Sequence, residues 1–153
     1  MPLELTSTAF REAERIPKDY TADGRNASPP LKWGDPPAGT KSFALVCEDP
    51  DAPRGTFTHW VLFNLPAEAR ELPEGVAANA TRPDGSLQGT NDFGKSGYGG
   101  PSPPPGKPHR YVFKLFALDQ SLNARPGAKR DQLLTAANAH KLAETQLTGT
   151  YGR

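Results

Sequence analysis

"SFALVCE", residues 42–48, places apolar side chains at consecutive positions instead of alternating ones. A strand with one wet face alternates apolar and polar residues, whereas a strand covered on both faces does not. The run is too short for an ordinary buried helix, and "EDPDAPRG" breaks it immediately downstream. Residues 42–48 therefore predict a central strand packed on both sides. Working outward, "TFTHWVLFNLP" (Thr56–Pro66) and "HRYVFKLFALD" (His109–Asp119) predict two more strong strands. Leu3 to Phe10 is a candidate first strand. The segment between it and residue 42 is turn-rich, punctuated by Asp23-Gly24, Pro29-Pro30 and Pro36-Pro37. "EGVAANATRPDGSLQGTNDFGKSG" predicts a long irregular connection with short strands at most. One segment has helical periodicity: from Ala128 to Leu147, positions 133, 136, 137, 140, 143 and 147 fall on one side, and Gly149 follows as a stop. The expected fold is mainly β, a two-sheet antiparallel β-sandwich with a C-terminal α-helix.

Composition agrees with that class. The 153 residues include 17 Pro and 15 Gly, which favours short strands joined by turns over long helices. A single domain spanning 1–153 is expected, since a chain this long buries roughly 68–70% of its unfolded surface. The formal net charge of +1 supplies no global field for nucleic acid or an acidic membrane. Cys47 is the one cysteine, so no internal disulfide forms, and its apolar neighbours predict a buried, inert thiol. The N-terminus has no basic segment leading into an apolar one, and no apolar run approaches 18 residues. No transmembrane segment and a cytoplasmic location are expected.

Two stretches carry candidate chemistry. In "GYGGPSPPPGKPHRYVF", residues 97–113, prolines and glycines run directly into a core strand. Proline removes backbone freedom and glycine permits close approach, so the loop is expected to be ordered and to offer its amides. His109 and Tyr111 leave the same face of the strand that follows, with Phe113 and Leu115 continuing that face. In "CEDPDAPRGTFTHW", residues 47–60, Asp49 and Asp51 surround a proline turn, and His59 starts the next strand on the face of Val61 and Phe63. The bland alternative for each stretch is a tight turn and strand-end rings that meet water.

If the two stretches meet, three chemistries compete. A metal site could use two imidazoles and two carboxylates, but no short H-x-x-x-H ligand pair is present. An Asp–His hydrolase would need a nucleophile; Ser96 and Ser102 are candidates, and neither lies in a G-x-S-x-G elbow. An anion pocket would use amides, histidines and tyrosine as donors. A carboxylate beside an imidazole favours the protonated ring, which would then donate to a phosphate.

These motifs resemble the phosphatidylethanolamine-binding protein family, in its prokaryotic Raf-kinase-inhibitor-like branch. "DPDAP" with "HW" downstream and "GYGGPSPPPGKPHRYVF" carry the resemblance, supported by "IPKDYTADGRNASPPLKW" and the C-terminal "LTGTYGR". The resemblance implies a two-sheet antiparallel β fold with a small anion pocket at one end. It implies a binding protein without catalytic residues, metal or cofactor, whose ligand is a phosphate-bearing small molecule such as a phosphoethanolamine-like headgroup or a nucleotide phosphate. By motif position the pocket would comprise Asp49, Asp51, Pro53, His59, Gly100, Pro101, His109 and Tyr111. It further implies a cis bond at Ala52-Pro53 and a homodimer. An inhibitor or regulator of a protein kinase or protease, acting through the pocket rim, is the alternative; kinase inhibition belongs to eukaryotic relatives.

Overall fold

A five-stranded antiparallel sheet in the order β5-β3-β2-β6-β7 organises the chain, whose computed structural model describes residues 2–153. Its strands are β2 (Ser42–Asp49), β3 (Phe57–Pro66), β5 (Leu87–Gln88), β6 (His109–Leu118) and β7 (Lys141–Tyr151). A second, two-stranded antiparallel sheet pairs β1 (Leu31–Lys32) with β4 (Glu71–Leu72). Every residue of β2 is buried, because β2 has a strand on each side and layers on both faces. Phe43, Leu45 and Cys47 face one layer, built with Leu31, Leu72, Trp33 and the N-terminal Leu5, Phe10 and Ile16. Ala44 and Val46 face the other, where Val61, Phe63 and Phe116 meet Leu133 and Ala137 of helix α1 (Arg130–His140).

Helix α1 is shorter than its sequence periodicity suggests. It stops at His140, and residues 141–151 form β7, which pairs with β6 from Leu118↔Lys141 to His109↔Tyr151. Beyond His140 the burial alternates, with Leu147, Gly149 and Tyr151 inward. Leu3 to Phe10 is not a strand; it contributes one bridge, Thr6↔Lys32, and the core side chains Leu5 and Phe10. The segment after it covers the outer edge of β7. Ala13 N–H donates to Thr148 O at 2.7 Å, and Ile16 N–H to Thr150 O at 2.7 Å. Gly149 is required there, because a Cβ would lie 2.5 Å from Ile16 Cγ1 and 2.8 Å from Phe10 Cε2. The otherwise open sheet edge is thereby closed.

Antiparallel pairing places the end of β2 beside the starts of β3 and β6. Asp49 pairs with Phe57, and Glu48 with both Thr58 and Val112. The two chemistry-bearing stretches thus meet at one end of the sheet. Among the described residues no helix is long and apolar enough to cross a membrane.

Candidate ligand-binding site

At that end of the sheet lies a cavity of about 210 Å³. Asp49, His59, His109 and Tyr111 are the polar groups of its interior, and Ala52, Pro53, Phe57, Phe93, Pro103 and Pro104 form apolar walls, with Ser102 among them. Five of the eight sequence-derived site residues therefore share one cavity: Asp49, Pro53, His59, His109 and Tyr111.

A β-bulge brings His59 in. Cys47 pairs with Trp60 and the next residue, Glu48, pairs with Thr58, so His59 is the extra residue. Strict alternation would send His59 to the face of Val61 and Phe63, which is the helix-covered face. The bulge turns it instead to the opposite face, where its ring meets Tyr111 edge-on at 5.2 Å between centroids. His59 Nδ1 lies 2.6 Å from Gly99 O. A carbonyl only accepts, so Nδ1 bears the hydrogen and Nε2 is the second ring position. The residue is 3% exposed. Burial pushes its pKa below the usual imidazole value, against the pull of the Gly99 contact, Asp49 and Asp92. The sequence expectation that a carboxylate neighbour favours the protonated ring is reversed at His59, because desolvation outweighs its acidic neighbours.

His109 is differently held. Its Nδ1 donates to Asp49 Oδ2 at 2.7 Å, and the Asp49 side chain is itself 5% exposed. Asp49 Oδ1 accepts the Asp51 N–H at 2.8 Å, closing the turn after β2. Tyr111 is 1% exposed, and its hydroxyl is buried with no hydrogen-bond partner among the described residues. Burial pushes the Tyr111 pKa upward, so the group remains a neutral O–H donor at ordinary pH.

The remaining three residues lie outside the cavity wall. Asp51 is occupied by Arg110, accepting from its N–H at 2.9 Å, Nε at 3.0 Å and Nη2 at 2.9 Å. Those bonds hold the Asp51 pKa down to about 2. Gly100 N–H donates to Asn26 Oδ1 at 2.7 Å, and Gly99 N–H to His59 O at 2.9 Å, so these glycine amides are spent on the scaffold. Gly100 is needed for close approach instead: a Cβ there would lie 2.6 Å from Tyr20 O. Pro101 O accepts the Ala22 N–H at 2.9 Å. Among the described residues no peptide bond is cis, so the bond expected cis at Ala52-Pro53 is trans. Ser96 is not part of the cavity lining; Ser102 is, and its Oγ accepts from Arg153 Nη2 at 3.2 Å.

Sequence reasoning missed the aromatic wall. Phe57 and Phe93 meet edge-on at 4.8 Å, and each also packs on His59, at 5.0 and 5.5 Å. Phe57 stands two residues before His59 and was findable. Phe93 lies in an irregular connection and is 44% exposed, a placement that no local pattern announces.

The model of the phosphatidylethanolamine-binding protein family matches residues 6–152. A Methanothermobacter thermautotrophicus protein bearing the name UPF0098 is 49% identical over 151 residues, covering 99% of each chain. Escherichia coli YbhB, also a UPF0098 protein, is 41% identical over 157 residues, covering 97% of this chain and 99% of its own. Among solved structures, E. coli YbcL, described as a new member of the mammalian PEBP family, superposes with a TM-score of 0.90 at 35% identity over 100% of this chain and 99% of its own. The Chlamydia trachomatis PEBP homologue CT736 does so with a TM-score of 0.89 at 38% identity, covering 99% and 98%.

Proposed function

The chain belongs to the phosphatidylethanolamine-binding protein family, and from that premise we propose that it binds a phosphate-bearing small molecule in the cavity at the end of the sheet. The observation that carries this reading is the orphaned Tyr111 hydroxyl. A buried donor without a partner costs about 1–3 kcal/mol, a cost that a ligand oxygen would remove. The same cavity holds the imidazoles of His59 and His109, so three polar ring groups converge where an oxygen-rich group could seat. The apolar walls lower the local dielectric and strengthen each contact. Two or three charge-assisted bonds, less the entropy of association, correspond to roughly micromolar to millimolar affinity.

The role is binding without turnover. Ser102 Oγ, the aliphatic hydroxyl of the cavity wall, accepts from Arg153 Nη2 at 3.2 Å, and among the described residues no hydrogen bond joins it to His59, His109 or Asp49 as a general base.

Titration calorimetry with inorganic phosphate near neutral pH tests the reading. Tyr111→Phe removes only the orphaned hydroxyl and should weaken binding about 10- to 100-fold, the equivalent of one hydrogen bond to a charged group. His109→Ala should weaken it at least as much. Wild-type affinity in both variants would place the ligand elsewhere.

A further inference from the structure

Two wider grooves share lining residues with the cavity, and they differ in the charges they leave free. One, of about 520 Å³, shares His109 and is completed by Asp51, Lys107, Pro108 and Arg110. Its carboxylate is already spent, because Asp51 accepts from Arg110 Nε at 3.0 Å and from Arg110 Nη2 at 2.9 Å. The other, of about 460 Å³, shares Ala52, Pro53 and Phe57 with the cavity and adds Arg54, Gly55, Thr56 and Asp92. Here both signs of charge are available. Asp92 is fixed against the start of β3: its N–H donates to Thr58 O at 2.9 Å, and its Oδ2 accepts the Thr58 N–H at 2.8 Å. Asp92 Oδ1 has no hydrogen-bond partner among the described residues. Arg54 is exposed, and among the described residues no hydrogen bond or ion pair engages its guanidinium. Arg54 and Asp92 thus line one groove without pairing with each other.

The small group with the matching pattern is an α-amino acid, which carries an ammonium and a carboxylate on the same carbon. Resting on the phosphate reading above, we propose that this groove is a second subsite, for the zwitterionic end of a phosphoserine-type ester: with the phosphate in the cavity, Asp92 takes the ammonium and Arg54 the carboxylate. Phe57 lines cavity and groove alike, so a short ester arm passing its ring joins the two. The ring also offers its face to the ammonium. The guanidinium of Arg54 presents a planar fork that matches a carboxylate with two parallel bonds. An ethanolamine headgroup enters the same groove and meets Asp92, but it brings nothing for Arg54. Both side chains are exposed to water, so each contact should change affinity about fivefold, well short of a buried pair.

Calorimetry on the full chain near neutral pH compares ethyl phosphate, phosphoethanolamine and O-phosphoserine, which share the phosphate and add first the ammonium and then the carboxylate. Affinity should rise about fivefold at each step. Arg54→Gln should remove the lead of O-phosphoserine over phosphoethanolamine. Asp92→Asn, which keeps an oxygen for the Thr58 N–H and loses the charge, should remove the lead of phosphoethanolamine over ethyl phosphate. Ratios within one variant cancel any change in the grip on the phosphate itself. Glycerophosphoserine, the deacylated headgroup of a lipid, separates the sources of this chemistry. Affinity equal to that of O-phosphoserine assigns a lipid headgroup, and affinity at least tenfold lower assigns the free phosphoamino acid; either supports the subsite. Equal affinity for phosphoethanolamine and O-phosphoserine, or a lead that persists in Arg54→Gln, overturns the inference while leaving phosphate binding intact. Failure of all these esters and of inorganic phosphate to bind would remove the underlying reading as well.

Discussion

Arg153 reaches back to Asp23, 130 positions earlier, with Nε–Oδ2 and Nη2–Oδ1 distances of 3.1 and 2.7 Å. Its Nη1 also donates to Pro103 O at 3.0 Å, and Tyr151 adds a third bond to Asp23 at 2.7 Å. The bonds from Arg153 and Tyr151 hold the Asp23 pKa down to about 2. Since Ser102, Pro103 and Pro104 are cavity wall, Arg153 positions that wall without being part of the lining. Arg153→Ala should lower phosphate affinity about fivefold, as expected when the ordering hydrogen bonds to Pro103 O and Ser102 Oγ are lost from a binding loop. Calorimetry reads the affinity, and a thermal melt should show little change, because the side chain is partly exposed. An unchanged affinity would show that the wall holds itself. At this scale the sequence was only partly informative. Asp51 and Gly100 belong to the right motifs, yet their polar groups are consumed by Arg110 and Asn26, partners that no sequence spacing identifies.

Helix α1 is tied to the sheet by one buried carboxylate. Glu48, 4% exposed, accepts from Lys114 Nζ at 2.6 Å on β6 and from Arg130 Nε on the helix. Burial alone would raise its pKa, but the Lys114 and Arg130 bonds outweigh that and leave it lowered. A lowered folded pKa stabilises the protein above the unfolded carboxylate value, and that contribution is lost as pH falls through the folded value. Glu48→Gln leaves two cations facing a neutral amide and should cost about 3 kcal/mol, near the lower end for breaking a buried pair, because both cations can reach water. A thermal melt at pH 7 should drop by roughly 6–12 °C. The gap between mutant and wild type should narrow on acidification below about pH 4.5, where Glu is protonated in the unfolded chain. An equal gap at pH 7 and pH 3 would contradict this role. The three long central strands were legible from apolar runs bounded by turns. The segment from Lys141 was not: Lys, Ala, Glu, Gln and Leu favour helix locally, while pairing with β6 along its whole length overrides that preference.

For the whole molecule, the decisive event is the meeting of the turn after β2 with the loop before β6. The motif positions made that convergence readable, because a polar pair heading an apolar strand face marks a rim. The details were not readable. They depend on a bulge that redirects His59 and on Phe93 arriving from the far side of a long connection. A segment near the N-terminus braces the loop from below: Tyr98 Oη donates to Tyr20 O at 2.6 Å, and Ala22 N–H to Pro101 O at 2.9 Å. The cavity is thus assembled from four separated stretches of chain.

The most direct measurement is a crystal structure of the protein grown with phosphoethanolamine. The phosphate should lie within hydrogen-bond distance of Tyr111 Oη and of Nε2 on both His59 and His109. Clear density for the ligand at another surface, with Tyr111 Oη still unpartnered, would contradict the account.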